Sequence, residues 1–234
     1  MRRIELDGYA KGLGLLITNP VVIVPPLLAD MTAKLLSYAL LGGPTGIVGS
    51  ISGGFASLLI FIIECFGFGV AMIVASYAWR MGRARIDVAW DDARRKFGEV
   101  AMAALGLNFA LWIAGMIGGF LVPFYGALAL TVVAAYFFIY TLPAAAVGGT
   151  PGFSALGSSV DRARSNAPAA LVLTAVSTVL IILPQRYLFG WAYQFGAVAE
   201  LAFETLVTAI VFGYLAIVTV RVYEDTAFSF WRRY

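Results

Sequence analysis

The chain has 234 residues, of which 61% are hydrophobic and 12% charged, with a mean hydropathy of +0.89 and a formal charge of +3. Soluble domains carry about twice that charged fraction, so composition excludes an ordinary water-soluble globule. With no His and a single Cys, the chain has no imidazole base, no His ligand for zinc or haem and no internal disulfide.

Residues 4–18 mix Ile4, Leu6, Leu13, Leu15, Leu16 and Ile17 with Glu5, Asp7 and Lys11. That is too polar to span a bilayer and apolar enough to lie at its surface as a short helix. The acids, and the lack of a small-residue cleavage site, argue against a secretory signal, so this segment is expected to be retained. Asn19-Pro20 ends it, because proline disfavours a helical residue before it and suits the first turn of a helix. A span takes roughly 20 apolar residues. The first is predicted over 20–41, kinked early by Pro25-Pro26. An uncharged turn, Gly42 to Gly46, leads to a second span over 51–79, long enough to tilt or to project beyond the bilayer.

Arg80 to Glu99 is a charged island holding six of the sixteen basic residues and four of the thirteen acids, and reads as an aqueous loop. The third span covers 100–121, a tight turn follows at Val122-Pro123, and the fourth covers 125–147. Gly148 to Gly152 breaks the pattern and Phe153 to Asn166 forms a second amphipathic segment. The fifth span takes 168–183. The next loop carries Tyr187, Phe189, Trp191, Tyr193 and Phe195, rings typical of a headgroup-level belt. The sixth span takes 197–220, and the charged, aromatic tail beyond it is expected to rest at the interface.

Fourteen of the sixteen basic residues fall on one side of this layout, in the two terminal segments and the two charged loops. The opposite loops carry only Arg186, and Lys34 falls within the first span. The positive-inside rule then places both termini and both charged loops in the cytoplasm. The chain is read as an all-α integral membrane protein, one polytopic domain of six spans with interfacial helices on the inner face. Arg80, Arg83, Arg85, Arg94, Arg95, Lys96, Arg162 and Arg164 form a basic surface suited to anionic headgroups or to another membrane subunit. The basic excess is a feature of topology, and no nucleic acid partner is implied.

A weak internal repeat is visible. Asp92-Ala93-Arg94-Arg95 matches Asp161-Arg162-Ala163-Arg164, and Asn19-Pro20 is echoed by Asn166-Ala167-Pro168. One reading is three units, each an interfacial helix followed by a two-span hairpin. Another is that amphipathic loop helices simply look alike.

Five ionisable residues fall at membrane depth: Asp30 and Lys34 in span one, Glu64 in span two, Glu200 and Glu204 in span six. Each is expensive there, about 2.5–3.5 kcal/mol at the centre of a span for Asp or Lys, so they should face the bundle interior, a cavity or a partner. Asp30 and Lys34 are four apart, as are Glu200 and Glu204, so each pair shares a helix face. A Lys34 pair with Glu204 or Glu200 would join spans one and six. The cluster serves either as an internal salt bridge or as a proton or cation path, and Asn108 and Gln194 fit both. Cys65, inside an apolar run, is expected to be a small buried hydrophobe. Gly115, Gly118, Gly53 and Gly54 suit close helix approach.

Nucleotide, hydrolase and kinase motifs are missing, as is metal-ligand spacing, so no catalytic residue, metal or cofactor is expected. The order of features does resemble a broad group of uncharacterised bacterial six-span proteins, similar to the membrane domain attached to some glycerophosphodiester phosphodiesterases. The motifs are Leu16-Ile17-Thr18-Asn19-Pro20 before span one, Trp90 to Phe97 after span two, Val160 to Asn166 after span four, and Arg221-Val222-Tyr223-Glu224-Asp225 at the end of span six. The similarity covers nearly the whole length. It implies a multi-pass protein of the bacterial cytoplasmic membrane, and it transfers no catalytic residue, because the hydrolase domain is missing from this sequence. The expectation is a non-catalytic accessory, scaffold or assembly subunit, or a lipid-organising protein. The alternative is a small proton- or cation-coupled transporter using the buried carboxylates.

Overall fold

A computed structural model of the protein describes residues 7–41, 47–122 and 125–231. Arg2, Arg3, the Gly42–Gly46 turn, Pro123, Arg232 and Arg233 lie outside the described residues. Every element among the described residues is helical, as a chain must be if its backbone polar groups are to be satisfied inside each segment. The order is α1 (Asp7–Thr18), a 3₁₀ turn (Pro20–Ile23), α2 (Val24–Leu41), α3 (Ile47–Met81), α4 (Ile86–Arg95), α5 (Phe97–Leu121), α6 (Gly126–Phe138), α7 (Thr141–Ala146), α8 (Ser154–Ser165), α9 (Ala167–Leu183), a π turn (Pro184–Leu188), α10 (Phe189–Ala192), a 3₁₀ turn (Tyr193–Phe195) and α11 (Ala197–Trp231). Among them are six stretches long and apolar enough to cross a membrane: Pro20–Ala39, Gly54–Met81, Phe97–Leu121, Gly126–Ala146, Ala167–Leu188 and Val198–Thr226.

The repeat suggested by the sequence has a counterpart in the backbone, at a register shifted from the Asp-x-x-Arg match. Each unit begins with a helix that buries two small or apolar residues four apart: Gly12 and Leu16 on α1, Ala89 and Ala93 on α4, Ser159 and Ala163 on α8. Three residues after the second of these stand Asn19, Lys96 and Asn166. The backbone N–H of each donates to the carbonyl four residues back (Leu15, Asp92 and Arg162), and its own carbonyl accepts from the turn that follows. Asn19 and Asn166 share nearly the same conformation, φ −130°, ψ 62° and φ −132°, ψ 48°. One residue thus closes the short helix and opens the next, which leaves the chain no length for a loop.

Glycine lets the first two hairpins close. At Gly67 on α3 a Cβ would run into Ala29 of α2, and Gly118 of α5 and Gly126 of α6 each leave room for the other's carbonyl. In lipid, where burial of apolar surface gives no driving force between helices, such close approach supplies the dispersion contact that does.

Four features differ from the layout read along the sequence. α1 does not lie across the bundle. It runs antiparallel beside α11, with Gly8 next to Arg221, Gly12 next to Val218 and Leu16 next to Gly213. The fourth span, expected to be continuous over 125–147, is interrupted at Ile139-Tyr140. Pro143 has no N–H and its ring crowds the carbonyl of Ile139, so the helix restarts as α7. The break is held by the buried hydroxyl of Ser159 on α8, which donates to the Phe137 carbonyl (2.8 Å) and accepts from the Tyr140 N–H (3.0 Å). The fifth span continues past Leu183 through a π turn at Pro184, where the ring would otherwise crowd the carbonyl of Leu180. Finally, the helix of the sixth span does not stop near residue 220. α11 runs unbroken to Trp231, so the tail is a helical extension.

The core sits at one end. The charged end gathers the last turns of α3 and α11 with α1, α4, α7 and α8. Its interior is built from small residues: Ala71, Ala75, Ala89, Ala103, Ala144, Ala145, Ala155 and Ala163 are wholly enclosed, around the larger Tyr140, Met72 and Ile217. At the opposite end apolar side chains face outward, among them Phe120 at 89% and Val198 at 83% exposure. α3 and α11, 35 residues each, are about 52 Å long against about 30 Å of hydrocarbon. Both are therefore longer than a hydrocarbon core requires.

Candidate functional site

Two sets of polar side chains stand out. The first joins α2 to α11 in the half away from the charged end. Asp30 and Lys34 lie one turn apart on α2, and the Lys34 ammonium sits 2.9 Å from Asp30 Oδ2, donates to Thr205 Oγ1 at 2.9 Å and lies 3.7 Å from Glu204 Oε1. Asp30 and Thr205 are buried. Side-chain exposure of 22% for Lys34 and 37% for Glu204 sets them at the rim. One ammonium thus serves two carboxylates and a hydroxyl, the arrangement that low dielectric demands of a charge withdrawn from water.

The remaining sequence candidates do not join this cluster. Glu64 on α3 is exposed and acts on Asp30 and Lys34 only through space. Glu200 stands a turn from Glu204 and is half-buried. Asn108 lies on α5, and Gln194 is exposed on the 3₁₀ turn before α11. Cys65 is buried beside Glu64. Thr205 was not among the sequence candidates. Its signal is its place next to Glu204, on the side of α11 that meets α2.

The second set is the basic end, where the structure divides the eight predicted cations in two. Four turn inward or pair. Arg80 bridges to Glu224 of α11 at 2.6 Å, and Arg85 pairs with Asp87 at 2.9 Å. Lys96 donates to the Ala146 carbonyl at the end of α7 (2.9 Å). Arg162 lies 4.1 Å over the Tyr223 ring and donates to that residue's carbonyl at 3.3 Å. The other four, Arg83, Arg94, Arg95 and Arg164, are exposed and, among the described residues, have no hydrogen bond or ion pair. Close in sequence to the first three are the exposed apolar side chains of Met81, Trp90 and Phe97, and Phe153 is exposed at the start of α8. Trp90 and Phe97 both rest edge-on against Phe66 of α3, at centroid distances of 6.2 and 4.9 Å.

Local electrostatics at this end follow from the same contacts. The Arg85 guanidinium, with the Val88 N–H, holds the Asp87 carboxyl below its ordinary range. Burial, with the neighbouring Tyr214 phenol, pushes the Tyr9 phenol up to about 12, so it stays neutral across the working range. Tyr214 donates to the Tyr9 carbonyl (3.2 Å), tying α1 to α11.

Chemically, the first set can pin helices or hold charge within the candidate spans. The second presents cations and aromatic rings on one end, a combination that suits a headgroup layer. The chain matches no protein-family model, no curated protein and no solved structure in the comparisons made.

Proposed function

We propose that this is a non-catalytic, multi-pass protein of the bacterial cytoplasmic membrane that binds anionic headgroups through its charged end. In that reading the charged end and both termini face the cytoplasm, as the basic residues direct. The protein acts as an accessory, scaffold or assembly subunit of a larger membrane complex, or as a protein that organises lipid. The observation that carries the proposal is a set of cations unpaired among the described residues, Arg83, Arg94, Arg95 and Arg164, on the same end as exposed Trp90, Phe97 and Phe153. Basic residues near an anionic surface contribute about 1 kcal/mol each. The resemblance to the membrane domain attached to some glycerophosphodiester phosphodiesterases belongs to this same proposal and extends to topology alone.

The test is thermal unfolding in nanodiscs of phosphatidylcholine with and without phosphatidylglycerol. The wild type is expected to gain stability from the anionic lipid, and Arg94→Gln with Arg95→Gln and Arg164→Gln to lose most of the gain. An equal gain in the triple variant would sink the proposal.

A second reading, a small proton- or cation-coupled transporter, is favoured by one observation: Glu64 is exposed at membrane depth within reach of the Asp30–Lys34 field. Its test is proton flux in proteoliposomes, where loss of flux in Glu64→Gln would establish it and a flux unchanged from protein-free vesicles would remove it.

A further inference from the structure

The three units are not alike in how their long helices meet. α2 closes on α3 and α5 on α6 through the glycine contacts above, whereas α9 and α11 meet over a shorter stretch. Between them lies a partly open groove of about 560 Å³, bounded by α1. Its walls are Val176 and Val179 on α9, Ile210 and Tyr214 on α11, and Leu13 and Leu16 on α1. The one heteroatom these six side chains carry, the Tyr214 hydroxyl, is spent on the Tyr9 carbonyl. A cavity so lined neither holds ordered water nor orients a polar ligand. The stretches of α9 and α11 that form it belong to two candidate spans, so the medium around it is hydrocarbon.

A helix is too wide an occupant. With side chains it is about 10–12 Å across and packs along its length, whereas this groove follows α9 only from Ala175 to Leu180, about 8 Å of rise. A single hydrocarbon chain fits. Beyond Leu180 the π turn that continues α9 carries Arg186, exposed, beside the exposed rings of Tyr187 and Trp191. Arg186 is the one basic residue in the loops of that end. From Arg186 to Ala175 the helix rises about 16 Å, close to half the hydrocarbon thickness of about 30 Å. That is the depth one leaflet's chain reaches from its phosphate.

The geometry points to a binding site for one phospholipid of the leaflet opposite the charged end, its phosphate on Arg186 and one acyl chain in the groove between α9 and α11. The site is separate from the basic end, and the inference does not rest on the charged-end reading.

The experiment is native mass spectrometry of the full chain, purified from membranes and washed extensively in mild detergent. The wild type is expected to keep a bound phospholipid. Val179→Trp, at a position 55% exposed and so tolerant of bulk, fills the groove from α9 and should lose it, as should Ile210→Trp from α11. Val133→Trp, which adds the same bulk on the outside of α6, should keep it, and so should Arg94→Gln with Arg95→Gln. Arg186→Gln should lose it or release it at lower detergent. A wild type that keeps no phospholipid, or groove-filling variants that keep it as the wild type does, would overturn the site. Retention unchanged in Arg186→Gln would overturn the placement of the phosphate.

Discussion

The two ends of the bundle solve the same problem, holding helices together, by different means. At the charged end the helices are short, many and separated by alanine, and polar groups are used as fasteners between backbones: Ser159 across the α6–α7 break, Lys96 on the last carbonyl of α7, and Trp79 Nε1–H donating to the Ile217 carbonyl (2.9 Å). Toward the opposite end the helices are few and long, their outer faces bear large apolar side chains, and the fastener is one ammonium shared by Asp30, Glu204 and Thr205. Where the surroundings are as apolar as the side chains, adding apolar bulk gains nothing and close backbone approach decides packing. The difference teaches that the charged end packs around an enclosed interior of small residues, whereas the other half turns large apolar side chains outward.

The comparison breaks first if truncation costs the same at both ends. Tyr140→Ala, at a wholly enclosed position, is expected to destabilise by about 3–5 kcal/mol, and Phe120→Ala, at 89% exposure, by little. Tyr140→Phe should be neutral or stabilising, because the buried hydroxyl has no hydrogen-bond partner among the described residues. Denaturant unfolding in a fixed micelle distinguishes the three. Lys34→Met is the counterpart in the opposite half. It leaves Asp30 buried without its cation and should cost about 3–5 kcal/mol, most of it recovered in Lys34→Met with Asp30→Asn. A single variant as stable as the wild type would show that the ion pair is not a pin.

Ser159→Ala comes next. It strands the Phe137 carbonyl and the Tyr140 N–H, a loss of about 1–3 kcal/mol that should appear as faster hydrogen exchange at the α6–α7 break.

Smaller still is the pH effect of Tyr9. Its folded phenol is raised to about 12 above an unfolded value of about 10. Stability is therefore full below pH 10 and declines as pH rises toward 12, because only the unfolded chain ionises in that window. Tyr9→Phe should flatten that decline. The smallest effect belongs to Arg85→Ala, whose exposed pair with Asp87 should leave unfolding unchanged at neutral pH.

Much of this arrangement is legible along the chain, and the rest is hidden for definite reasons. Asn19-Pro20 and Asn166-Ala167-Pro168 announce the hinges because the conformational demand is local. The Asp30–Lys34 spacing announces a shared face for the same reason. The break at Ile139-Tyr140 is announced only in part. Pro143 marks it, but its repair depends on Ser159, brought near by the fold. The sorting of the basic residues is not local at all. Arg80 and Arg83 look alike in sequence, and only the return of α11 gives the first a carboxylate. The tail beyond residue 220 reads as a charged, aromatic interfacial segment, yet Tyr223 and Thr226 are buried, because α11 meets helices that precede it by dozens of residues.

The hinge at Asn19, Lys96 and Asn166 has a consequence for how such a chain can grow. Each unit departs from the charged end, runs out and back along two long helices and returns to it, so the number of passes it adds is even. Copying or deleting a whole unit in frame would leave every later segment on its original side, with its cations where they were. Gain of a single helix would invert all that follows and set the basic residues of every later segment against the charge rule. Duplication by pairs is therefore the inexpensive route to longer or shorter versions of this architecture, and the missing loop at each hinge is the seam at which the copies would join.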